Sequence, residues 1–171
     1  FTSRQISWCN WGLCLSLKAI KLEYILNFSS ALLIFICGAL SFYFYGVYSK
    51  FLNYDQKIIP KFFQLSSNQC TSIVDSSYGR LVGVSNVSIG FIYLFIHSVV
   101  LVLAGCNIVN QLIPFSLSFC SLLIGVYLIY GLIKLKIKCK ICISVHLMNL
   151  IVFFMQIPLM IKWTLVYTAI K

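Results

Sequence analysis

Acidic side chains are almost missing from this chain. Three Asp and Glu stand against thirteen Lys and Arg, and only 9% of the 171 residues are charged. A water-soluble domain carries about 25% charged residues, so a chain with so little charge and a mean hydropathy of +0.98 does not belong to that class. A short apolar stretch with a small-residue cleavage site is also lacking, and no signal peptide is expected. No internal repeat, low-complexity tract or stretch large enough for a separate soluble domain is found. The net charge of +10 does not point to nucleic acid, because the basic residues are scattered and are not interleaved with stacking aromatics.

Apolar residues make up 61% of the chain, and they are grouped. Four uninterrupted stretches, Ile25 to Tyr48, Val87 to Val109, Leu112 to Ile133 and Ile141 to Met160, are each long enough to cross a hydrocarbon core of about 30 Å as a helix. The expected fold class is an all-α membrane protein, a four-transmembrane-helix bundle. The basic residues sit at the ends of these stretches. Arg4, Lys18, Lys21, Lys162 and Lys171 fall on one face, and Lys50, Lys57, Lys61, Arg80, Lys134, Lys136, Lys138 and Lys140 on the other. By the excess of basic residues in cytoplasmic loops, this count favours a cytoplasmic position for the second face.

The connections are unequal. Residues 49–86 form one long loop, whereas the second and third stretches are joined by little more than a turn and the third and fourth by "KLKIKCK". Two spans separate the long loop from the start of the last helix, so both lie on the same membrane face. A loop of this length is uncommon without a function, and it is expected to cap that end of the bundle, with a short helix near Cys70 to Leu81. Residues 1–23, with Trp8 and Trp11 beside Cys9 and Cys14, read as an interfacial segment, and residues 163–171 as a tail.

Eight cysteines are present. Cys37, Cys106 and Cys120 lie inside apolar stretches and read as small packing residues. Cys139 and Cys142 differ, because they sit at i and i+3 where a lysine-rich loop enters the last helix. The helix N-terminus and Lys134, Lys136, Lys138 and Lys140 favour thiolate, the attacking species in disulfide exchange. The pair admits three readings: a redox dithiol, part of a metal site, or two membrane cysteines at chance spacing. Zinc needs four ligands, and apart from His146 nothing near the pair supplies them.

"CKICISVHLMN" at the last helix and "CTSIVDSSYGRLVGVSNVSIGFIY" ahead of the second resemble the vitamin K epoxide reductase family. The resemblance covers about residues 24–162. It is carried by Cys139 and Cys142, by Asn149 seven residues beyond Cys142, by the loop Cys70 with Ser76 six residues on, and by the helix entry around Gly90 and Tyr93. It implies a membrane enzyme in which the helical pair reduces a quinone of the ubiquinone or menaquinone type and is itself reduced through the loop. No metal is required.

On that resemblance Cys142 faces the quinone and Cys139 exchanges with Cys70. Asn86 and His146 stand where the family places donors to the quinone oxygen. Vertebrate members have a tyrosine at the His146 position; an imidazole N–H is an alternative donor. His97 has no such match and reads as an interior polar group or a residue of the quinone path. The usual loop carries an earlier cysteine, where this sequence has Phe62 and Gln64. A bacterial-type homologue with a single loop cysteine is therefore expected, oxidising a thioredoxin-like partner that is either a separate protein or a further part of a longer chain, in the bacterial inner membrane with an extracytoplasmic site. The rivals are a DsbB-like oxidase, whose reactive pair belongs in the first outer loop, and a non-catalytic membrane subunit or small transporter component.

Overall fold

The structure, a computed structural model, describes residues 3–53, 74–81, 83–137 and 139–170, and Cys70 lies outside them. Four helices dominate: α1 (Ser3–Tyr48), α2 (Asn86–Gly105), α3 (Leu112–Lys134) and α4 (Lys140–Ile170). Each contains a span long and apolar enough to cross a membrane: Lys21–Tyr48, Asn86–Gly105, Leu112–Lys134 and Lys140–Leu165. The shortest, at 20 residues, rises about 30 Å at 1.5 Å per residue, the thickness of the hydrocarbon core. The chain is an integral membrane protein, and its four spans are those expected from hydropathy. The region read as interfacial is, from Ser3 onward, the first part of α1, and α4 runs on to Ile170.

Three helices end in the same way. Lys50, Asn107 and Lys136 each adopt positive φ, at 59°, 58° and 54°. The amide three residues past the end of each helix then reaches back five residues: Phe51 to the Gly46 carbonyl, Ile108 to Leu103 and Ile137 to Leu132. These bonds satisfy carbonyls that the helix itself leaves open. They also turn the chain sharply enough for the α2–α3 connection to span only residues 106–111.

The bundle is asymmetric. α1 packs most extensively on α2 and also on α4, α3 leans on α4, and the contact between α2 and α3 is slighter. Ile34, Cys37, Leu101 and Val152 are fully buried at the centre. Outward faces are equally apolar, with Phe35, Ile96, Val99, Leu123 and Val126 exposed, as helices bathed in lipid require.

The expected helix near Cys70 to Leu81 is not formed by its described part. Residues 74–79 are turns, and β1 (Arg80–Leu81) pairs antiparallel with β2 (Val84–Ser85). Gly83, at φ 79°, supplies the left-handed position of this hairpin. Propensity loses here to the ladder, which the Asn86 amide extends by donating to the Gly79 carbonyl at 2.8 Å, so the hairpin runs directly into α2.

Polar side chains inside the spans find one another. At the end away from the hairpin, Gln111 bonds both Asn27 (3.2 Å) and Gln156 (2.6 Å), and Gln156 donates to Ser30 at 3.2 Å. Deeper in, His97 Nε2 and Ser118 Oγ lie 3.2 Å apart. Interhelical hydrogen bonds of this kind contribute roughly 0.6–2 kcal/mol each. Gln156→Leu strands two partners, and it is expected to lower stability by about 1–3 kcal/mol, read as a lower unfolding midpoint in detergent without loss of helical circular dichroism.

Candidate active site

A cavity of about 170 Å³ opens at the hairpin end of the bundle. Its walls come from all four helices and from the segment leading into α2. α1 contributes Ser41 and Phe44, the hairpin segment Val74 and Gly79, α2 Asn86, Gly90 and Tyr93, α3 Ser121 and Leu128, and α4 Cys142, His146 and Asn149. Ile89 and Ile124 also line it and are exposed on the outer surface. They flank the lightly packed seam between α2 and α3, so the cavity borders the lipid there. Across this seam Tyr93 Oη donates to the Leu117 carbonyl.

Cys139 and Cys142 differ in placement. Cys139 is fully buried and stands just before α4, as its N-cap: its carbonyl accepts from the Ile143 amide at 3.2 Å and its Sγ from the Cys142 amide at 3.5 Å. The cap thus puts a sulfur at the positive end of the helix. Cys142, one turn on, is half-buried and is the sulfur that lines the cavity. With Lys136 and Lys140 exposed beside the pair, the surroundings are strongly basic.

Asn86 opens α2, and its Nδ2 donates to the Tyr78 carbonyl at 2.8 Å. Ser76 is outside the cavity wall, but its Oγ accepts from the Gly79 amide at 3.3 Å and so shapes the turn that does line it. Asn149 is buried, accepts from Ser121 Oγ at 2.9 Å and donates to the Val145 carbonyl at 2.9 Å. His146 lies one turn before it, with its Nδ1 buried and without a protein partner. The cavity therefore brings together Cys142, Asn86, His146 and Asn149. It leaves Cys139 and Ser76 directly behind the wall. His97 lies deeper in the bundle and outside the lining. Among the described residues no group of three or more His, Cys, Asp or Glu side chains gathers as metal ligands do.

Two contacts hold the hairpin segment over the cavity. Asp75 accepts from Tyr48 Oη at 2.8 Å and from Arg80 at 3.3 Å. The Tyr48 hydroxyl, and then the Asp75 carboxylate, push the exposed Arg80 guanidinium above its ordinary pKa, so this cation persists at any working pH. On the other side Tyr78 packs among Tyr127, Tyr130 and Lys134, directly over Gly131.

Sequence reasoning passed over Ser121, Gly125, Tyr78 and Gly131. Ser118 and Ser121, spaced three apart in a mostly apolar helix, were a readable signal of an inward face. The contacts of the two glycines had none.

A bundle of four membrane helices, with a dithiol at the head of the last and a cavity beside it, has the form of a membrane-embedded thiol oxidoreductase. The sequence profile of the Vitamin K epoxide reductase family matches residues 28–157, and the chain belongs to that family. At the level of the family it is a membrane oxidoreductase linking quinones and disulfides. Comparison with curated proteins and with solved structures gives no significant match.

A Cβ at position 131 would meet Tyr78 Cβ at 2.8 Å, closer than carbon atoms approach. Gly131→Ala is expected to lift the Tyr78 segment, at a cost of about 1–3 kcal/mol, and to loosen the hairpin so that limited trypsin digestion cuts after Arg80 faster than in the wild-type protein.

Proposed function

We propose that this protein is a thiol:quinone oxidoreductase that oxidises a thioredoxin-like partner and passes the electrons to a membrane quinone, supporting disulfide-bond formation. The observation that carries the reading is the shared cavity: Cys142, Asn86 and His146 line one mostly apolar chamber that borders lipid. The fit to a quinone lies in that donor set. A flat ring with two acceptor oxygens and an apolar tail suits apolar walls, a lipid-side border and a small number of convergent donors.

Each residue then has a task. Cys70 takes electrons from the partner protein and exchanges with Cys139, which stands behind the cavity wall at the head of α4. Cys142 faces the chamber. When the Cys139 and Cys142 sulfurs join, two S–H bonds are lost, one S–S bond forms, and two electrons and two protons leave. A quinone supplies the matching half-reaction, taking up two electrons and two protons to become the quinol. Asn86 and His146 hydrogen-bond the quinone oxygen as negative charge gathers on it. The hairpin segment keeps water from the chamber, and Asn149, locked by Ser121, holds its floor.

With Cys70 as the single loop cysteine, electrons enter from the thioredoxin-like partner directly through Cys70. The reading assigns the site to the extracytoplasmic face of a bacterial inner membrane. There the family's chemistry serves disulfide formation in secreted proteins, although the lysines favour the opposite orientation. Labelling of Cys70 in intact cells by a membrane-impermeant maleimide is expected, and protection of Cys70 would reverse the orientation.

Reconstituted protein is expected to reduce a short-chain ubiquinone at the expense of dithiothreitol, and Cys142→Ala to lower kcat by at least about a thousandfold. A Cys142→Ala protein that turns over like wild type would sink the enzyme reading and leave a non-catalytic membrane subunit in its place.

A further inference from the structure

The edge of His146 that meets α3 is defined by a missing side chain. A Cβ built on Gly125 would lie 2.9 Å from His146 Nδ1, 3.4 Å from Cγ and 3.6 Å from Cε1. Gly125 is itself buried. The Nδ1 edge of the ring is thus pressed into the notch that glycine leaves, and Nδ1 has no protein partner there. In an imidazole the Cδ2–Nε2 edge lies opposite. With the Nδ1 edge against the α3 wall and the residue lining the cavity, Nε2 is the nitrogen turned away from α3.

A neutral imidazole carries one N–H and one lone pair, and neighbouring hydrogen bonds decide which nitrogen holds the proton. A proton on Nδ1 would be buried against a helix whose carbonyls are already bonded. A proton on Nε2 can be donated. A quinone oxygen, for its part, only accepts.

The geometry points to Gly125 as a positioning residue that seats His146 as its Nε2–H tautomer, making Nε2 the donor to the quinone oxygen. This rests on the quinone reading of the cavity and deepens it. It also accounts for a bare glycine in the buried face of α3 at the level of the site, where a larger residue would push the ring out of its seat.

The test separates the two nitrogens. Gln at 146 places an amide N–H near the position of Nε2, and Asn near that of Nδ1. The KM for short-chain ubiquinone is expected to rise roughly three- to tenfold more in His146→Asn than in His146→Gln, the difference of one hydrogen bond. Gly125→Ala alone is expected to raise KM by a similar factor, with a smaller change in kcat. In the His146→Gln background, which lacks the ring, Gly125→Ala is expected to add nothing further. A glycine needed only for helix packing would impair both backgrounds equally, and that outcome overturns the proposal.

The tautomer can be read without turnover. In wild-type protein labelled with 15N-histidine in lipid nanodiscs, with the His146 signals assigned by their loss in His146→Gln, Nε2 is expected to be protonated and Nδ1 bare. Its Nε2 signal is expected to move on adding short-chain ubiquinone. A proton on Nδ1 overturns the proposal even if the enzyme reduces quinone. Failure of wild-type protein to reduce quinone at all overturns the functional reading instead, and this inference with it.

Discussion

A polar atom inside hydrocarbon has no water to turn to, and that constraint orders the whole bundle. It makes the spanning backbone helical, because only a helix satisfies its own amides and carbonyls within a single segment. It then sends the polar side chains to the interior. Asn27, Ser30, Gln111 and Gln156 tie three helices together at one end, His97 and Ser118 meet in the middle, and Ser121 and Asn149 meet near the other end. The inner face of α4 is read off the same way: Cys142, His146, Asn149 and Gln156 follow at spacings of four, three and seven, one side of a helix.

The site occupies a place where packing is loose. The far end is tied by hydrogen bonds among Asn27, Ser30, Gln111 and Gln156, beside a second cavity, whereas the chamber at the hairpin end is lined mostly by apolar side chains of α2, α3 and α4. A cavity in a well-packed interior costs stability, and here the loss is met by the hairpin segment, whose Val74 is fully buried and whose Tyr78 is seated on Gly131. The same segment ends in Asn86, so the cover of the chamber and one of its polar groups are parts of a single turn. Cys139 joins structure to chemistry in a similar way, since the sulfur that caps α4 is also half of the reactive pair.

Both glycines on α3 act by subtraction. Gly131 admits the Tyr78 side chain and Gly125 admits the His146 ring, each at a distance that a methyl group would close. Helix α3 therefore shapes the chamber largely through what it lacks, while α4 supplies most of the reactive groups.

Much of this was written in the linear order of residues. Charge depletion and four apolar runs are local properties, and the membrane converts them into four helices with little freedom. The i, i+3 spacing of Cys139 and Cys142 at a helix start is equally local, and so is the seven-residue step to Asn149. The expected helix near Cys70 to Leu81 failed because pairing of Arg80 with Ser85 and of Leu81 with Val84 outweighs propensity. Which cysteine faces the cavity, that Asn86 and His146 reach the same chamber from different helices, and what Gly125 and Gly131 make room for depend on contacts between distant segments. The sequence by itself determined that the chain is a membrane bundle with a dithiol at the head of its last helix, because hydropathy and helical spacing need no partner. Only the tertiary structure decided the chamber, because its walls are surfaces of helices that meet only after packing.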